Sequence, residues 1–303
     1  MISGVREREI IQCATDTILD AKITSLPVDP KSIATSIGIH LQAWKPEKLG
    51  ISGFFMRAGE QFGIGYSTAI ENEGFINFTV GHELGHYFLG GHVEALIGTG
   101  DGTHYSKSGF VSDDKHEREA DAFAAELLMP ESLFKAALRK AGSGITAIRN
   151  LAVQGRTSLV ATGIRYVKKA EDPVAVILSS GDRIEWCFLS TELRKCRGVF
   201  PLGKNTPLPV NSATARFNRA QDRVLGAETV EGTSSLRAWF DEAPDIEFQE
   251  DVIGLGHYGK TLTVLFTEEA LGDEDEDEEE EDESETGLPS SRWRHRDETR
   301  RLD

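Results

Sequence analysis

The sequence has few of the features that mark secreted and membrane proteins. No stretch of 18 apolar residues occurs in its 303 residues, so no membrane-spanning helix is predicted. The first residues are charged where a signal peptide needs an apolar segment. The chain has three cysteines, Cys13, Cys187 and Cys196, and no two of them form a C-x-x-C pair. These absences exclude a disulfide scaffold, and we expect a cytoplasmic protein with reduced thiols.

Internal repeats and nucleotide-binding motifs are also missing: the chain has no P-loop and no dinucleotide fingerprint. The sequence has 50 acidic and 33 basic residues, which give a net charge of -17. Much of this excess is local, because residues 273–285 contain 12 acids and no base. Such a block repels itself, so residues 272–303 are predicted to be a disordered acidic tail with a basic tip.

One short motif indicates a metal site. Residues 75–89 predict an amphipathic helix and contain His82, Glu83 and His86 in the order H-E-x-x-H. Two histidines four residues apart on a helix point in the same direction and can bind one metal ion. Glu83 lies beside them, where a carboxylate can take a proton from water that the ion has made more acidic. The motif predicts a metal-dependent hydrolase with Glu83 as general base.

A catalytic zinc site normally has three protein ligands, and a second predicted helix over residues 116–129 offers the third. Glu117 and Asp121 are four residues apart and share one face of it. This spacing suits a ligand carboxylate, followed by an aspartate that accepts a hydrogen bond from a ligand imidazole. Glu119 is rotated by about 200° around the helix, so we do not expect it at the same site.

The sequence does not decide which residue is the third ligand or which groups stabilise the reaction intermediate. His92 is a rival third ligand, because it follows His82 by ten residues as in the metzincin pattern. That pattern has glycine where this chain has Leu89. Three residues could donate a hydrogen bond to a reaction intermediate, and their spacing favours none of them: Tyr87, His104 and Tyr105.

Two blocks of the sequence resemble the ImmA/IrrE family of metallopeptidases. They are Gly81–His86 and the more specific Glu117–Pro130. Weaker similarity extends upstream to residues 27–39, 53–56 and 62–66. The resemblance covers about residues 1–170 well and the rest loosely.

This resemblance implies a fold, a cofactor and a substrate class. The fold is an α+β, zincin-like metallopeptidase domain with a small sheet and an H-E-x-x-H helix. His82, His86 and Glu117 would bind Zn2+, or Mn2+ or another divalent metal, and Glu83 would be the base. Family members are regulatory proteases that cleave a helix-turn-helix repressor and release stress-response or mobile-element genes. A repressor is therefore the implied protein substrate.

The segment after the metallopeptidase core is basic and helical. Residues 130–170 carry eight bases and one acid, and residues 148–167 predict a helix, a short turn and a helix. Thr157 or Ser158 is the expected cap of the second helix. Positive charge on such a hairpin is typical of DNA contact, whereas a hairpin packed on the core is the alternative.

A mixed, strand-rich domain is predicted for residues 171–271, so the expected division is 1–129, 130–170, 171–271 and 272–303. Its predicted strands are Val174–Leu178, Ile184–Phe188, Arg237–Phe240 and Thr261–Phe266. Two functions are consistent with this organisation. The first is a metal-dependent regulatory endopeptidase. The second is a regulatory protein that binds DNA or a transcription factor and in which the metal site is structural.

Overall fold

The computed structural model describes residues 2–45, 50–69, 72–98, 100–107 and 114–269. The predicted acidic tail lies outside the described residues, and its disorder stays a prediction. Contacts join Met1–Ala270 into one compact unit. The internal boundaries at residues 129 and 170 stay predictions. Within the described ranges, no helix has the length and apolar character needed to cross a bilayer.

The first half of the chain combines a small sheet with helices. In chain order its elements are α1 (Gly4–Asp20), α2 (Pro30–Ser36), β1 (His40–Trp44), β2 (Ile51–Ala58), β3 (Gln61–Ser67), α3 (Glu73–Phe88), α4 (His92–Leu96), β4 (Gly102–Lys107) and α5 (Lys115–Leu128). The strand order is β1-β3-β2-β4, with β1 parallel to β3 and the other neighbours antiparallel. Strand β4 therefore lies at one edge of this sheet.

Helices α3 and α5 pack against each other and carry the residues of the predicted site. The side chain of Asn72 caps α3 by accepting a first-turn amide at 3.0 Å, and Asp114 caps α5 in the same way at 2.7 Å. A Cβ atom on Gly85 would lie 3.0 Å from the Cα atom of Ala120. Glycine at position 85 therefore allows the two helices to approach closely.

A hydrophobic core joins these helices to the sheet. Phe55 of β2 and Ile64 of β3 are buried with Val80 and Leu84 of α3 and with Phe123 of α5. Burial of such side chains contributes roughly 1.5–3 kcal/mol each. The core therefore fixes the position of α3 between the sheet and α5.

The second half is built on a five-stranded antiparallel sheet. Its elements are α6 (Glu131–Leu138), α7 (Gly144–Gly155), α8 (Leu159–Lys169), β5 (Val174–Ser180), β6 (Arg183–Leu189), α9 (Thr191–Lys195), α10 (Ala213–Arg219), α11 (Gln221–Leu225), β7 (Thr229–Ser235), α12 (Leu236–Trp239), β8 (Glu247–Gly254), a 3-10 helix (Gly256–Tyr258) and β9 (Thr261–Phe266). The strand order is β6-β5-β9-β8-β7. The architecture is mixed α+β, with a small N-terminal sheet and a larger C-terminal one.

The predicted basic hairpin corresponds to α7 and α8, and its apolar side packs on the second sheet. Ile148, Leu151 and Val167 of the hairpin share a buried core with Val176 and Leu262 of the sheet. The hydroxyl of Ser158 caps α8 by accepting an amide at 3.1 Å. The hairpin thus has a structural role, whatever its exposed side contacts.

Several of the basic side chains in this segment already have partners. Arg165 is 5% exposed, and its guanidinium donates to Glu126 at 2.7 Å and to the carbonyl of Met129 at 2.6 Å. Arg156 pairs with Glu73 at 3.3 Å. Two more ion pairs join Lys135 and Lys169 to Glu131. The burial of Arg165 makes it inaccessible to DNA.

In the second sheet, one predicted strand is wrong, and two observed strands, β7 and β8, were not predicted. Residues 237–240 lie mainly in the short helix α12, because Leu236 and Trp239, three residues apart, are buried together. On a strand, residues three apart point to opposite faces. Strand β8 lacks an obvious apolar pattern because it carries Glu250 and Asp251. Their buried carboxylates accept backbone amides at the starts of α10 and α7.

Candidate metal centre

Helix α3 places two imidazoles together, as the four-residue spacing predicts. The Nε2 atoms of His82 and His86 are 3.0 Å apart, and the two residues are 6% and 0% exposed. Their rings meet edge to face with centroids 4.7 Å apart. Two nitrogen donors therefore converge on one point beside α3.

Helix α5 brings a carboxylate to the same point. Glu117 Oε2 is 3.4 Å from His82 Nε2, and Glu117 Oε1 is 3.3 Å from His86 Nε2. The three side chains form a group that could hold a metal ion. Donor atoms about 2.0–2.2 Å from a tetrahedral zinc ion are roughly 3.3–3.6 Å apart. The two nitrogen-to-oxygen distances agree with this spacing, whereas the two Nε2 atoms, 3.0 Å apart, would have to separate slightly.

The carboxylate of Glu117 is strongly biased toward its charged form. Although burial opposes ionisation, hydrogen bonds from His104, His82 and His86 hold the pKa of Glu117 well below its ordinary value. A deprotonated carboxylate is the form that a metal requires. Glu117 is therefore chemically suited to complete the group.

Asp121 holds the other nitrogen of His82. Its Oδ1 atom is 2.8 Å from His82 Nδ1. When Nδ1 donates its proton to Asp121, the lone pair of Nε2 points toward the group formed with His86 and Glu117. Asp121 thus lies where the sequence places it, one turn beyond Glu117 on α5.

Glu83 is fully buried and lacks a hydrogen-bond partner among the described residues. Both carboxylate oxygens are unpaired, as is the buried hydroxyl of Ser106, which lies close enough to lower the pKa of Glu83. Burial nevertheless raises this pKa to about 7, against the opposing charge of His82. Unpaired buried polar groups are rare and indicate strain, an unseen partner or a catalytic role. Burial thus favours the uptake of a proton by Glu83 in the metal-free site, compared with an exposed glutamate.

Glycine at position 53 lets β2 pass directly beside this carboxylate. A Cβ atom there would lie 2.7 Å from Glu83 Oε1 and 2.6 Å from the side chain of Thr79. Real Cβ contacts are longer, so any other residue would displace the base or the strand. The upstream similarity had included residue 53 only as part of a strand.

The rival ligand His92 lies behind His86 rather than beside it. Its Nδ1 atom is 3.0 Å from His86 Nδ1, the nitrogen on the side away from Glu117. Its Nε2 atom is 3.1 Å from Glu119 Oε2. The group that could hold a metal contains Glu117 and not His92. Glu119 faces away from this group, as its offset on the helix predicts.

Of the three candidate donors, the structure brings one to the group. His104 of β4 lies 2.7 Å from Glu117 Oε1, and its ring is 5.1 Å from that of His86. Tyr87 instead packs against aromatic rings of the core, and Tyr105 is 54% exposed. No local spacing could have found His104, because the pairing of β4 with β2 brings it to the site.

Comparisons with known proteins agree with this geometry. The model of the IrrE N-terminal-like domain matches residues 73–166, which include both helices of the site. None of the curated proteins compared with the chain matches it. The fold is similar to that of a Mycobacterium tuberculosis transcriptional regulator, with a TM-score of 0.55 and 12% identity over 87% of this chain and 77% of that chain. Residues 73–166 therefore belong to the IrrE N-terminal-like domain family, the domain of the ImmA/IrrE metallopeptidases.

Proposed function

We propose that this protein is a metal-dependent endopeptidase that cleaves a helix-turn-helix transcriptional repressor. His82, His86 and Glu117 hold the metal, Glu83 is the general base and Asp121 orients His82. The buried carboxylate of Glu83, without a partner and beside a His-His-Glu group, is the observation that carries this proposal. A structural metal site would have no use for an unpaired charge in this place.

The residues of the chain divide the chemistry between them. A bound divalent ion supplies Lewis acidity, which makes water more acidic and polarises a peptide carbonyl. Glu83 takes the proton of the attacking water on a carboxylate oxygen and later delivers it to the nitrogen of the leaving amine. His104 holds Oε1 of Glu117 at 2.7 Å and so limits rotation of that carboxylate.

An edge strand next to the site supports cleavage within a chain rather than at its end. Strand β4 has no neighbour on its outer side among the described strands, and it carries His104 to the metal group. An extended peptide can pair with such an edge through main-chain hydrogen bonds. Pairing of this kind leaves both ends of the peptide free to continue past the site.

The metal we propose is zinc. Two imidazoles and one carboxylate with an open fourth position are typical of catalytic zinc sites. The same donors also accept Mn2+ or another divalent metal, because availability as well as affinity decides which ion is bound. Metal analysis of protein purified without added ions would identify the bound ion.

The substrate and cellular role are proposed from the family resemblance. Its members cut helix-turn-helix repressors in regulation, and the solved structure of similar fold is titled a transcriptional regulator. We propose the same setting here, a cytoplasmic protease that acts in a stress response. The chemistry of the site itself implies only hydrolysis assisted by a metal.

DNA contact through residues 130–170 is the alternative, and the packing of the hairpin counts against it. Its apolar side covers the second sheet, and Arg165 is buried. Arg149 and Arg156 remain as exposed candidates. If their replacement by alanine abolishes salt-sensitive DNA binding by the protein, the alternative gains its support.

The decisive experiment compares three forms of the protein in native-host cells at equal expression levels. They are the wild type, Glu83→Gln, and the matched control Glu94→Gln, which changes an exposed glutamate of α4. New protein N-termini are then identified by mass spectrometry under several stresses. We expect a small set of cuts, including one in a repressor, in wild type and Glu94→Gln only.

Metal content measured on the same three purified proteins separates the outcomes. We expect the Glu83→Gln protein to bind the metal as wild type does, because Glu83 is not a ligand. Cuts that persist in Glu83→Gln would refute the assignment of the base. Full metal content with no cuts in any form would favour the regulatory binding protein.

A further inference from the structure

A chain of buried polar groups leads away from His86 on the side opposite the metal group. His86 Nδ1 is 3.0 Å from His92 Nδ1, and His92 Nε2 is 3.1 Å from Glu119 Oε2. The side chains of all three residues are at most 1% exposed. These contacts are not explained by the catalytic roles given above, yet they end directly on a proposed metal ligand.

The hydrogen-bond network assigns one arrangement of protons to this chain. Metal binding uses the lone pair of His86 Nε2, so the proton of that imidazole lies on Nδ1. This proton can be donated to His92 only if Nδ1 of His92 carries none. The remaining proton of a neutral His92 is then on Nε2, where it is donated to Glu119. Each contact therefore has one donor and one acceptor.

The far end of the chain is anchored by an arginine from another helix. Arg6 of α1 donates through Nε to Glu119 Oε2 at 2.8 Å, and its terminal nitrogen is also 2.8 Å from that oxygen. Lys115 lies 3.6 Å from the other oxygen, Oε1. A carboxylate buried without such charges would be strongly unfavourable. Arg6 and Lys115 thus supply the positive charges that this buried carboxylate needs, and Arg6 holds Oε2 in place as the acceptor at the end of the chain.

The two ligand imidazoles of α3 are therefore supported in two different ways. Asp121 accepts the Nδ1 proton of His82 directly, whereas Glu119 acts on His86 only through a second imidazole. We propose that His92 and Glu119 are positioning residues, which fix the tautomer and orientation of His86 and thereby strengthen metal binding. This inference rests on the proposed function, because it requires His86 to be a metal ligand. Partners of this kind typically change metal affinity by 10–100-fold.

Two substitutions of His92 separate positioning from packing. His92→Phe keeps a ring of similar size but cannot accept the His86 proton. His92→Gln carries an acceptor and a donor on one amide, so it can accept from His86 and donate to Glu119. The matched control is His116→Phe, because the ring of His116 meets that of His92 edge to face, with centroids 4.9 Å apart, and lies outside the hydrogen-bonded chain.

Zinc affinity is measured for each full-length protein by competition with a chromogenic chelator, and the cobalt-loaded forms are compared by visible absorption. We expect His92→Phe to bind zinc 10–100-fold more weakly and to shift the cobalt bands. The zinc affinities of His92→Gln and His116→Phe should stay within about threefold of that of wild type. A change this small is less than the loss of a supporting partner causes. Thermal unfolding of the metal-free forms shows whether each variant folds.

The possible results have distinct meanings. Equal zinc affinity of wild type and a folded His92→Phe would overturn the positioning role and leave the proposed function intact. An equal loss in His92→Gln and His92→Phe would also overturn it, because packing alone would then explain both. If His92→Phe does not fold, Glu119→Gln, which weakens the terminal acceptor, decides the question by the same measurement. Failure of wild type to bind any metal would overturn the proposed function itself.

Discussion

Replacement of Glu83 by glutamine is expected to stabilise the metal-free protein at pH 8 and to have little effect at pH 5. The reason is the complete burial of the carboxylate, which raises its pKa by more than His82 and Ser106 lower it. Glutamine has nearly the same shape but no charge, so it removes the unfavourable burial of the ion without opening a cavity. The effect concerns folding alone and is independent of any substrate.

The sign and size of the effect follow from the pKa of Glu83. This pKa rises from 4.5 to about 7 on folding, so the folded state holds the proton more tightly than the unfolded state. The wild type keeps its full stability below about pH 4.5 and loses it as the pH rises through about 7. The difference between these values corresponds to about 3 kcal/mol. For a chain of this size, that is roughly 6–12 °C in melting temperature.

The assay is thermal or urea unfolding of chelator-treated wild type, Glu83→Gln and the exposed control Glu94→Gln. We expect Glu83→Gln to exceed wild type by about 3 kcal/mol at pH 8 and by less than about 1 kcal/mol at pH 5. Glu94→Gln should match wild type at both values. An advantage of Glu83→Gln that is the same at pH 5 and pH 8, or absent at both, would show that Glu83 is not a buried, unpaired carboxylate.

Three further changes test the site and its surroundings. Glu117→Ala should weaken zinc binding by more than about 100-fold in chelator competition, because it removes a ligand rather than a supporting partner; a smaller loss would argue for another ligand. Gly53→Ala places a Cβ atom 2.7 Å from Glu83 Oε1 and should destabilise the protein by about 1–3 kcal/mol in urea unfolding. Unchanged stability would contradict the close approach of β2. Arg165→Met leaves Glu126 without its buried partner and should lower the free energy of unfolding by about 3–5 kcal/mol in urea unfolding. The double variant with Glu126→Leu should recover most of this loss. No recovery in the double variant would mean that the ion pair is not the cause.

The sequence by itself determined the residues whose relation is local. His82, Glu83 and His86 are related by one turn of a single helix, and so are Glu117 and Asp121. The period of the α-helix places such side chains on one face, whatever the rest of the chain does. Local patterns also predicted the two helices on either side of residue 156. They predicted strands where apolar residues alternate with polar ones or form a continuous run.

Tertiary structure decided which of the local groups meet. The spacing within α3 and α5 does not show whether Glu117 or His92 lies beside His82 and His86. The close packing of the two helices at Gly85 brings Glu117 into the group that could hold a metal ion. His104 reaches Glu117 because β4 pairs with β2 in one register. Contacts of this kind join residues far apart in the chain, so no periodic pattern in the sequence predicts them.

The second sheet shows the same limit in a different way. Strand β8 carries the acidic residues Glu250 and Asp251, yet Glu250 is buried because two backbone amides at the start of α10 satisfy its carboxylate. Likewise, Arg6 is an ordinary surface residue in the sequence, and only the docking of α1 on α5 makes it the partner of Glu119. Sequence determined the chemistry that is available along each helix. Tertiary packing decided which charges are buried, because burial is tolerated only where distant groups supply the missing hydrogen bonds.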